Sequence, residues 1–424
     1  MKFLSIIFFL FSSFLCIGQS TYLHCGKLID TKNGKVLSKM TIVVNKNKIA
    51  AIQKGYLEVQ TPEDVLIDLK TKTVLPGLID MHVHLEGESN PKSYLQKFTL
   101  NSADKALHGS YYAKKTLMAG FTTVRDLGGS GANISLRNAI NEGFAEGPRI
   151  YTAGKALGTT GGHADPSNGF RKDFMGDPGP KEGVVNGVED APKAVRQRYK
   201  NGADLIKITA TGGVLSMAKN GQNPQFTVEE IKAICETAKD YDMHVAAHAH
   251  GDEGMQRAIL GGVKTIEHGT LMSEETMELM KEHDVYYVPT ITAGKEVGEK
   301  AKISGYYPDI IVPKALEIGP KIQNTFALAY KKGVKIAFGT DAGVFPHGIN
   351  GKEFGYMTEV GMDPMEAIQS ATVINAEILK NPLIGSLEKG NFADIIAVED
   401  NPLQNIKTLE NVIFVMKDGI VYKE

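Results

Sequence analysis

Residues 73–84 read Thr-Val-Leu-Pro-Gly-Leu-Ile-Asp-Met-His-Val-His, an apolar run that ends in two histidines, His82 and His84. The run predicts a β-strand, in which side chains two positions apart lie on the same face. Both imidazoles can then reach one metal ion, provided that the strand ends in a cavity. Two surface histidines on an ordinary strand are the alternative, so the rest of the chain has to decide between the two.

Short β-branched runs alternate with helix-like segments on the carboxyl side of this strand. The runs, eight in all, begin at Val74, Phe121, Arg149, Asp204, His244, Lys264, Val285 and Val334. Helix starts fall between them, among them a capping box at Thr227–Glu230 and the pair Asp363-Pro364. The alternation predicts an α/β fold, a (β/α)₈ TIM barrel, with an open doubly wound sheet as the alternative.

The two chain ends have a different character. Residues 21–72 and 394–422 contain short β segments separated by turn residues. Since each end alone supplies too few strands to bury its apolar face, we expect both to join in one small β-sandwich. The predicted division is a signal peptide at 1–18, the β-sandwich at 19–74 and 384–424, and the barrel at 75–383.

The composition restricts the class of partner. The 424 residues include 47 Lys and Arg against 49 Asp and Glu, a formal net charge of −2. This balance argues against nucleic acid or an anionic membrane surface as the main partner. We therefore expect a small molecule or a dipeptide as substrate, and leave a homo-oligomer open.

The first residues have the layout of a cleaved secretory signal. Lys2 precedes an apolar stretch at 3–15, which is short for a membrane span. We expect an exported protein, periplasmic or secreted, with no membrane attachment once residues 1–18 are removed; a buried first strand or helix is the alternative. Cys25 and Cys235 then remain, too few for a disulfide framework.

Candidate metal ligands occur where predicted strands end. A barrel gathers its chemistry at the carboxyl ends of its strands, so side chains far apart in the chain can meet there. The candidates fall at the first, fourth, fifth, sixth and eighth strands: His82, His84, Lys207, His248, His268 and Asp341.

Four motifs resemble those of the amidohydrolase superfamily. They are Leu75–His84, Glu267-His-Gly269, Gly339-Thr-Asp-Ala-Gly343 and Gly385–Asp394. Within the superfamily, residues 205–213 together with Thr160-Gly-Gly-His163 are similar to the prolidase-like branch. That branch contains Xaa-Pro and Xaa-Arg or Xaa-Lys dipeptidases and is related to imidazolonepropionases.

The resemblance implies two divalent metal ions, most often zinc. It assigns His82, His84 and Asp341 to the first ion, His248 and His268 to the second, and Lys207 to both as an N-carboxylated lysine. Elementary chemistry agrees, because an apolar strand lowers the pKa of a lysine and frees its amine to take up CO₂. The alternative is that Lys207 is an ordinary cation that pairs with Asp204 or with a substrate carboxylate.

For this family pattern we predict that hydroxide bridging the ions attacks a polarised carbonyl. Asp341 would act as the proton shuttle from the nucleophile to the departing amine, since a carboxylate that touches metal and nucleophile is placed for both transfers.

The sequence indicates the substrate-binding residues less clearly than the metal ligands. His250 follows His248 by two positions, His163 follows a glycine-rich turn, and His347 follows the last predicted strand. Each could bind a substrate carboxylate or the oxyanion, or be a loop histidine without a role. The dipeptidase branch often has a tyrosine at the position of His250. Residues 164–188, rich in Gly and Pro, predict a lid or specificity loop, with disorder as the alternative.

Four histidines lie away from the predicted strand ends and receive no role: His24, His108, His244 and His283. Arg125 and Asp126 close the second strand, where we expect a salt bridge beneath the site. The favoured hypothesis is an exported binuclear metallohydrolase of dipeptides, Xaa-Pro or Xaa-Arg/Lys. Its rivals are a hydrolase of a cyclic amide such as an imidazolone, a lactone or a phosphotriester, and a noncatalytic exported metal-binding or peptide-binding protein.

Overall fold

The structure is a computed structural model that describes residues 19–424; the predicted signal peptide at 1–18 lies outside the described residues. The strands are β1 (Ser20–Asp30), β2 (Lys35–Asn45), β3 (Lys48–Lys54), β4 (Val65–Pro76), β5 (Leu78–Val83), β6 (Phe121–Asp126), β7 (Arg149–Thr152), β8 (Ile206–Thr209), β9 (Val245–Ala249), β10 (Thr265–His268), β11 (Tyr286–Val288), β12 (Ile395–Val398), β13 (Val412–Lys417) and β14 (Ile420–Lys423).

The helices are α1 (Ser93–Thr99), α2 (Ser102–Met118), α3 (Ala132–Asn141), α4 (Lys172–Met175), α5 (Asp190–Asn201), α6 (Val228–Lys239), α7 (Asp252–Leu260), α8 (Glu274–Glu282), α9 (Ile291–Ala301), α10 (Val312–Ile318), α11 (Ile322–Lys331), α12 (Lys352–Glu359), α13 (Pro364–Ser370) and α14 (Val373–Ile378). Two short 3₁₀ helices span Gly319–Lys321 and Ile406–Glu410. Within residues 19–424, no helix has both the length and the apolar character that a bilayer crossing requires.

The central strands close into a barrel. Strands β5, β6 and β7 form one parallel group, and β8, β9, β10 and β11 form another. Single parallel bridges complete the circle: Leu157 with Ile208, Tyr287 with Ile336, and Val83 with Ala342. Residues 336–342 therefore occupy the eighth strand position of the predicted TIM barrel. The closed circle excludes the open doubly wound sheet.

The first barrel strand begins later than predicted. Val74 belongs to β4, where it pairs with Leu28 of β1 and Ala397 of β12, and the barrel begins at Leu78. Gly77 makes this change of sheet sterically possible, since a Cβ there would lie 2.1 Å from Thr122 Oγ1. The apolar run at 73–84 thus serves two sheets in succession, which its hydrophobicity alone does not reveal.

Both chain ends contribute to a separate seven-stranded sheet, in the order β14-β13-β12-β4-β1-β2-β3. Strands β1 and β4 are parallel, and every other neighbouring pair is antiparallel. Apolar side chains from the two ends, including Leu23, Ile42, Ile395 and Phe414, form one buried cluster. This confirms the predicted fold class, a barrel with a small β-structure built from both termini.

Candidate active site

A cavity of about 710 Å³ opens at the carboxyl ends of the barrel strands. Its size falls within the range of roughly 300–1,000 Å³ that is usual for small-ligand sites. Of the nine predicted site residues, eight line it: His82, His84, His163, Lys207, His248, His250, His268 and Asp341. The structure therefore brings together all six predicted metal ligands and two of the three predicted substrate contacts.

Two of these residues, His268 and Asp341, have an unusual backbone conformation. His268 has φ 71° and Asp341 has φ 64°, in the left-handed region that non-glycine residues rarely adopt. Such strain persists only where neighbouring contacts impose it, and it is concentrated at functional sites. At Asp341, one such contact is a hydrogen bond from its backbone N–H to the His82 carbonyl at 2.7 Å.

Asp341 lies at the centre of the first ligand group. Its Oδ1 is 3.2 Å from His84 Nε2 and 3.5 Å from His82 Nε2. This oxygen is buried and forms no hydrogen bond within residues 19–424. Burial alone would raise the pKa of Asp341, but the neighbouring His82, His84 and Lys207 side chains hold it below its ordinary value. A buried carboxylate oxygen without a hydrogen bond, faced by two imidazole nitrogens, fits a cation between them.

The second ligand group adjoins the first. The ring centroids of His248 and His268 are 4.7 Å apart, and those of His268 and His82 are 5.0 Å apart. Candidate ligand atoms of His82, His268 and Asp341 lie within 4.8 Å of one another. Imidazole and carboxylate groups at such spacing are the donor set that zinc prefers, so these residues fit divalent ions.

Lys207 is buried, with 4% of its surface exposed, and its side chain lines the same cavity as the two ligand groups. Burial lowers its pKa to about 8, against the opposing influence of Glu267 and Asp341. The suggested partner Asp204 instead pairs with Arg137 at 2.6 Å. An ordinary Lys207–Asp204 salt bridge is therefore not found, and the amine is available for other chemistry.

Hydrogen bonds fix which nitrogen of each ring is free. His84 Nδ1 donates to the Gly128 carbonyl at 2.7 Å, and His268 Nδ1 is hydrogen-bonded to Thr290 Oγ1 at 2.8 Å. Both rings therefore keep Nε2 free as a ligand atom. In His248 the roles of the two ring nitrogens are exchanged, because Nε2 donates to the Gly212 carbonyl at 3.1 Å and Nδ1 is left free. Such outer contacts orient metal-binding histidines and set their tautomers.

Glu267 orients His82 from inside the barrel. Its Oε2 is 2.9 Å from His82 Nδ1, and its Oε1 accepts from Arg125 Nη2 at 2.8 Å. Burial would raise the pKa of Glu267, but the Arg125 guanidinium lowers it to about 2. Arg125 forms a salt bridge as predicted, with Glu267, whereas Asp126 forms none among the described residues and instead accepts a hydrogen bond from the Leu85 backbone N–H at 2.9 Å. The role of Glu267 was missed. Strand alternation could have indicated it, since Thr265 and Glu267 share the inner face of β10.

A second buried carboxyl group supports His268 through Thr290. Glu353 accepts hydrogen bonds from the backbone N–H groups of Ile291 and Thr292, both at 2.7 Å, at the start of α9. Thr290, directly before them, has φ 52° and contacts His268. Glu353 lies 63 positions beyond Thr290 in the chain, and no local sequence signal connects the two.

The three predicted substrate-contact histidines separate into two groups. His163 stacks on His248 with ring centroids 4.4 Å apart, and the ring of His250 lies 4.7 Å from that of His248. His347 instead is 1% exposed and does not line the cavity; its Nε2 donates to the Gly87 carbonyl at 3.0 Å. We therefore correct the prediction for His347, since its ring is packed behind the wall of the site.

One side of the cavity is apolar. It is built from the segment after β8, from α9 and α10, and from their neighbours: Val214, Leu215, Met217, Val297, Ile318, Ile322 and Val344. Several residues from 164–188 also line the cavity, among them Phe170 and Met175. This surface suits an apolar part of a small substrate.

The chain belongs to the amidohydrolase family, whose sequence model matches residues 73–421. It is therefore an enzyme of a family whose members hydrolyse amide bonds. The matched region contains the barrel and all the candidate ligands.

The chain is similar to several characterised relatives. A solved Xaa-Pro dipeptidase with methionine bound in its active site is 54% identical, with a TM-score of 0.93, covering 96% of this chain and 100% of that one. A solved prolidase complexed with N-methylphosphonate-L-proline is 33% identical, with a TM-score of 0.86 and the same coverage. Ochratoxinase from Aspergillus niger is 33% identical over 429 residues, covering 95% of this chain and 86% of the relative.

Proposed function

We propose that this protein is a metal-dependent dipeptidase that cleaves Xaa-Pro dipeptides with an apolar first residue. The observation that carries the proposal is the convergence of three imidazole-rich strand ends, Lys207 and Asp341 on one cavity. Similarity to a Xaa-Pro dipeptidase and to a prolidase with a proline-containing ligand supports proline as the second residue. The apolar wall supports an apolar first residue rather than a basic second one.

We assign His82, His84 and Asp341 to one divalent ion and His248 and His268 to the other, with zinc as the first expectation. Lys207 would serve both as a carbamate, formed when its neutral amine bonds to CO₂ and loses a proton. When bound, the ions supply a hydroxide nucleophile at neutral pH and polarise the scissile carbonyl.

Asp341 is the proposed proton carrier. Its Oδ1 forms no hydrogen bond within the described residues and lies next to two candidate ligands, so it is free to accept a proton at the reacting centre. The same group can release that proton to the amine of the leaving proline. The low pKa of Asp341 keeps it ionised, and thus ready to accept, at neutral pH.

His163 and His250 are the proposed substrate contacts. His163 Nδ1 is buried without a hydrogen bond in residues 19–424, and the His250 ring reaches the cavity beside His248. A dipeptide carboxylate or the oxyanion would provide the partner that His163 lacks. The apolar wall would then receive the first side chain.

We further propose that the enzyme acts outside the cytoplasm, in the periplasm or the medium, on the basis of the apolar segment at 3–15 behind Lys2. Cell fractionation with N-terminal sequencing tests this directly. Export predicts a mature chain that begins near Gln19, whereas an intact Met1 in the cytoplasm would overturn the proposal.

A dipeptide library tests the activity. The metal-reconstituted protein is assayed with Xaa-Pro, Xaa-Arg and Xaa-Lys substrates, and its metal content is measured on the same sample. Turnover of Leu-Pro and Met-Pro supports the proposal, and turnover restricted to Xaa-Arg or Xaa-Lys would redirect it. Inertness towards the whole library with hydrolysis of a cyclic amide, lactone or phosphotriester would replace it, and tight peptide binding without any turnover would indicate a noncatalytic binder.

A further inference from the structure

Lys314 is a buried cation whose partners are backbone carbonyls. The side chain belongs to α10, and the residue is 8% exposed. Its Nζ donates to the carbonyl of Ser216 at 2.6 Å, of Ala218 at 2.7 Å and of Gly213 at 3.2 Å. All three acceptors lie in the stretch after β8, here named the 213–218 segment.

The three N–H donors of the Lys314 ammonium group are matched by three carbonyl acceptors. A lysine ammonium group has three N–H bonds and no acceptor, so each hydrogen has one carbonyl oxygen here. A charge away from water is costly unless such groups replace its hydration. The ammonium group and the 213–218 segment therefore stabilise one another. Removing the charge leaves the Ser216 and Ala218 carbonyls without their donor, and leaves the Gly213 carbonyl with only the Ser216 hydroxyl at 3.2 Å.

The 213–218 segment and the residue before it contact two histidines of the active site. The Gly212 carbonyl, directly before it, accepts the hydrogen bond that orients His248. Gly213 packs so tightly on His163 that a Cβ would lie 2.2 Å from that ring. A shift of the segment would therefore move both His248, a candidate metal ligand, and His163, a candidate substrate contact.

The same segment supplies part of the apolar wall. Val214 and Leu215 line the cavity and belong to the apolar cluster that includes Val297 of α9 and Ile318 of α10. Lys314 lies on the same helix as Ile318, so its contacts join the two sides of this wall.

We propose that Lys314 is a positioning residue that holds the 213–218 segment against α10 and thereby sets the affinity for the apolar first residue of the substrate. The inference rests on the proposed dipeptidase function for its substrate. It goes beyond that function by assigning substrate selectivity to a residue outside the cavity lining.

Kinetics of Lys314→Ala and Lys314→Met test the selectivity. We expect KM for Leu-Pro to rise about tenfold, equivalent to ~1.4 kcal/mol, with a smaller rise for Gly-Pro and little change in kcat. Lys321→Ala is the matched control, because Lys321 is an exposed lysine at the end of the 3₁₀ helix that follows α10, and its ion pair is with Glu317 at 3.5 Å. An equal loss for both substrates, or a loss in kcat alone, would overturn the proposal.

Ammonium rescue distinguishes positioning from general damage. Lys314→Ala leaves a space lined by three carbonyls that ammonium ion can fill, whereas the Lys314→Met side chain occupies that space. Ammonium chloride should restore the Leu-Pro KM of the Ala variant but not of the Met variant, with sodium chloride as the salt control. No rescue of the Ala variant, or equal rescue of both, would contradict the proposal.

Trypsin gives a readout that does not depend on activity. Lys219 is exposed directly after the segment, so its cleavage reports release of the segment. We expect faster cleavage after Lys219 in the metal-free Ala and Met variants, slowed by ammonium only in the Ala variant. If wild-type protein hydrolyses no dipeptide, the proposed function fails while this assay still tests the contact; unchanged cleavage in both variants would refute the role of Lys314.

Discussion

Glu267 Oε2 lies 2.9 Å from His82 Nδ1 inside the barrel, and this contact turns His82 Nε2 towards Asp341. The carboxylate stays ionised there because Arg125 pairs with its other oxygen at 2.8 Å. A candidate ligand is thus oriented by a charge pair that never reaches the cavity. Two strands, β6 and β10, cooperate in placing a side chain of a third.

Replacement of Glu267 by Gln should weaken metal binding. The amide cannot hold both Arg125 and His82 as a carboxylate does, and outer contacts of this kind are worth about 10–100-fold in metal affinity. Titration of metal-free protein with zinc against a competing chelator measures the change. Glu388→Gln, which alters an exposed pair with Lys32, is the control; equal affinity in both variants would exclude the orienting role.

Carboxylation of Lys207 should depend on pH in a defined direction. Only the neutral amine reacts with CO₂, and burial lowers the Lys207 pKa to about 8, so carbamate formation should rise as the pH passes through about 8 and then level off. ¹³C NMR of the protein at fixed dissolved ¹³CO₂ follows the carbamate signal. Lys207→Met should lack that signal, and an identical signal in the variant would assign the carbamate to another amine.

Asp341→Asn should separate proton transfer from metal binding. The amide retains one oxygen for an ion but cannot accept a proton, so kcat should fall by about 10²–10⁴-fold while most of the metal remains. Steady-state assays combined with metal analysis of the same samples measure both. Retained turnover in a metal-replete variant would remove the proton-carrier role.

Glu353 should make stability sensitive to alkaline pH. Burial raises its pKa from 4.5 to about 8, so the folded protein holds a proton that the unfolded chain has lost. This contribution is fully present below pH about 4.5 and is lost as the pH rises through 8, at about 1.4 kcal/mol per pKa unit. The urea midpoint of metal-free wild type should therefore fall relative to Glu353→Gln between pH 6 and 9.

The matched control for Glu353 is Glu359→Gln, an exposed position on the same helix. Its urea midpoint should differ from that of wild type by the same amount at both pH values. If the Glu353→Gln difference were equally independent of pH, the buried carboxyl group would not titrate in this range.

The sequence predicts the barrel and the ligands because both follow from local periodicity. Lys207 and His248 lie in the short apolar strands β8 and β9. The carboxyl ends of parallel barrel strands meet at one face of the barrel, regardless of the loops that connect them. Interior partners are harder to predict, since Glu267 meets Arg125 only after the barrel closes. The support of Thr290 by Glu353 depends on the packing of α12 beside α9, which no local pattern encodes.

Two sequence-based expectations differ from the structure for identifiable reasons. Val74 continues the apolar run of the first barrel strand, yet a single glycine, Gly77, divides that run between two sheets. His347 follows the eighth strand as predicted, but the chain turns its ring towards Gly87 and away from the cavity. In both cases the direction of the backbone, which the sequence pattern does not reveal, decides which neighbours the side chains contact.

The most direct test is the metal content of reconstituted wild-type protein compared with Lys207→Met, measured by elemental analysis after gel filtration in CO₂-equilibrated buffer. The account predicts two divalent ions per wild-type chain and a clear loss in the variant, together with loss of Leu-Pro hydrolysis. Two ions retained in Lys207→Met with undiminished turnover would contradict it.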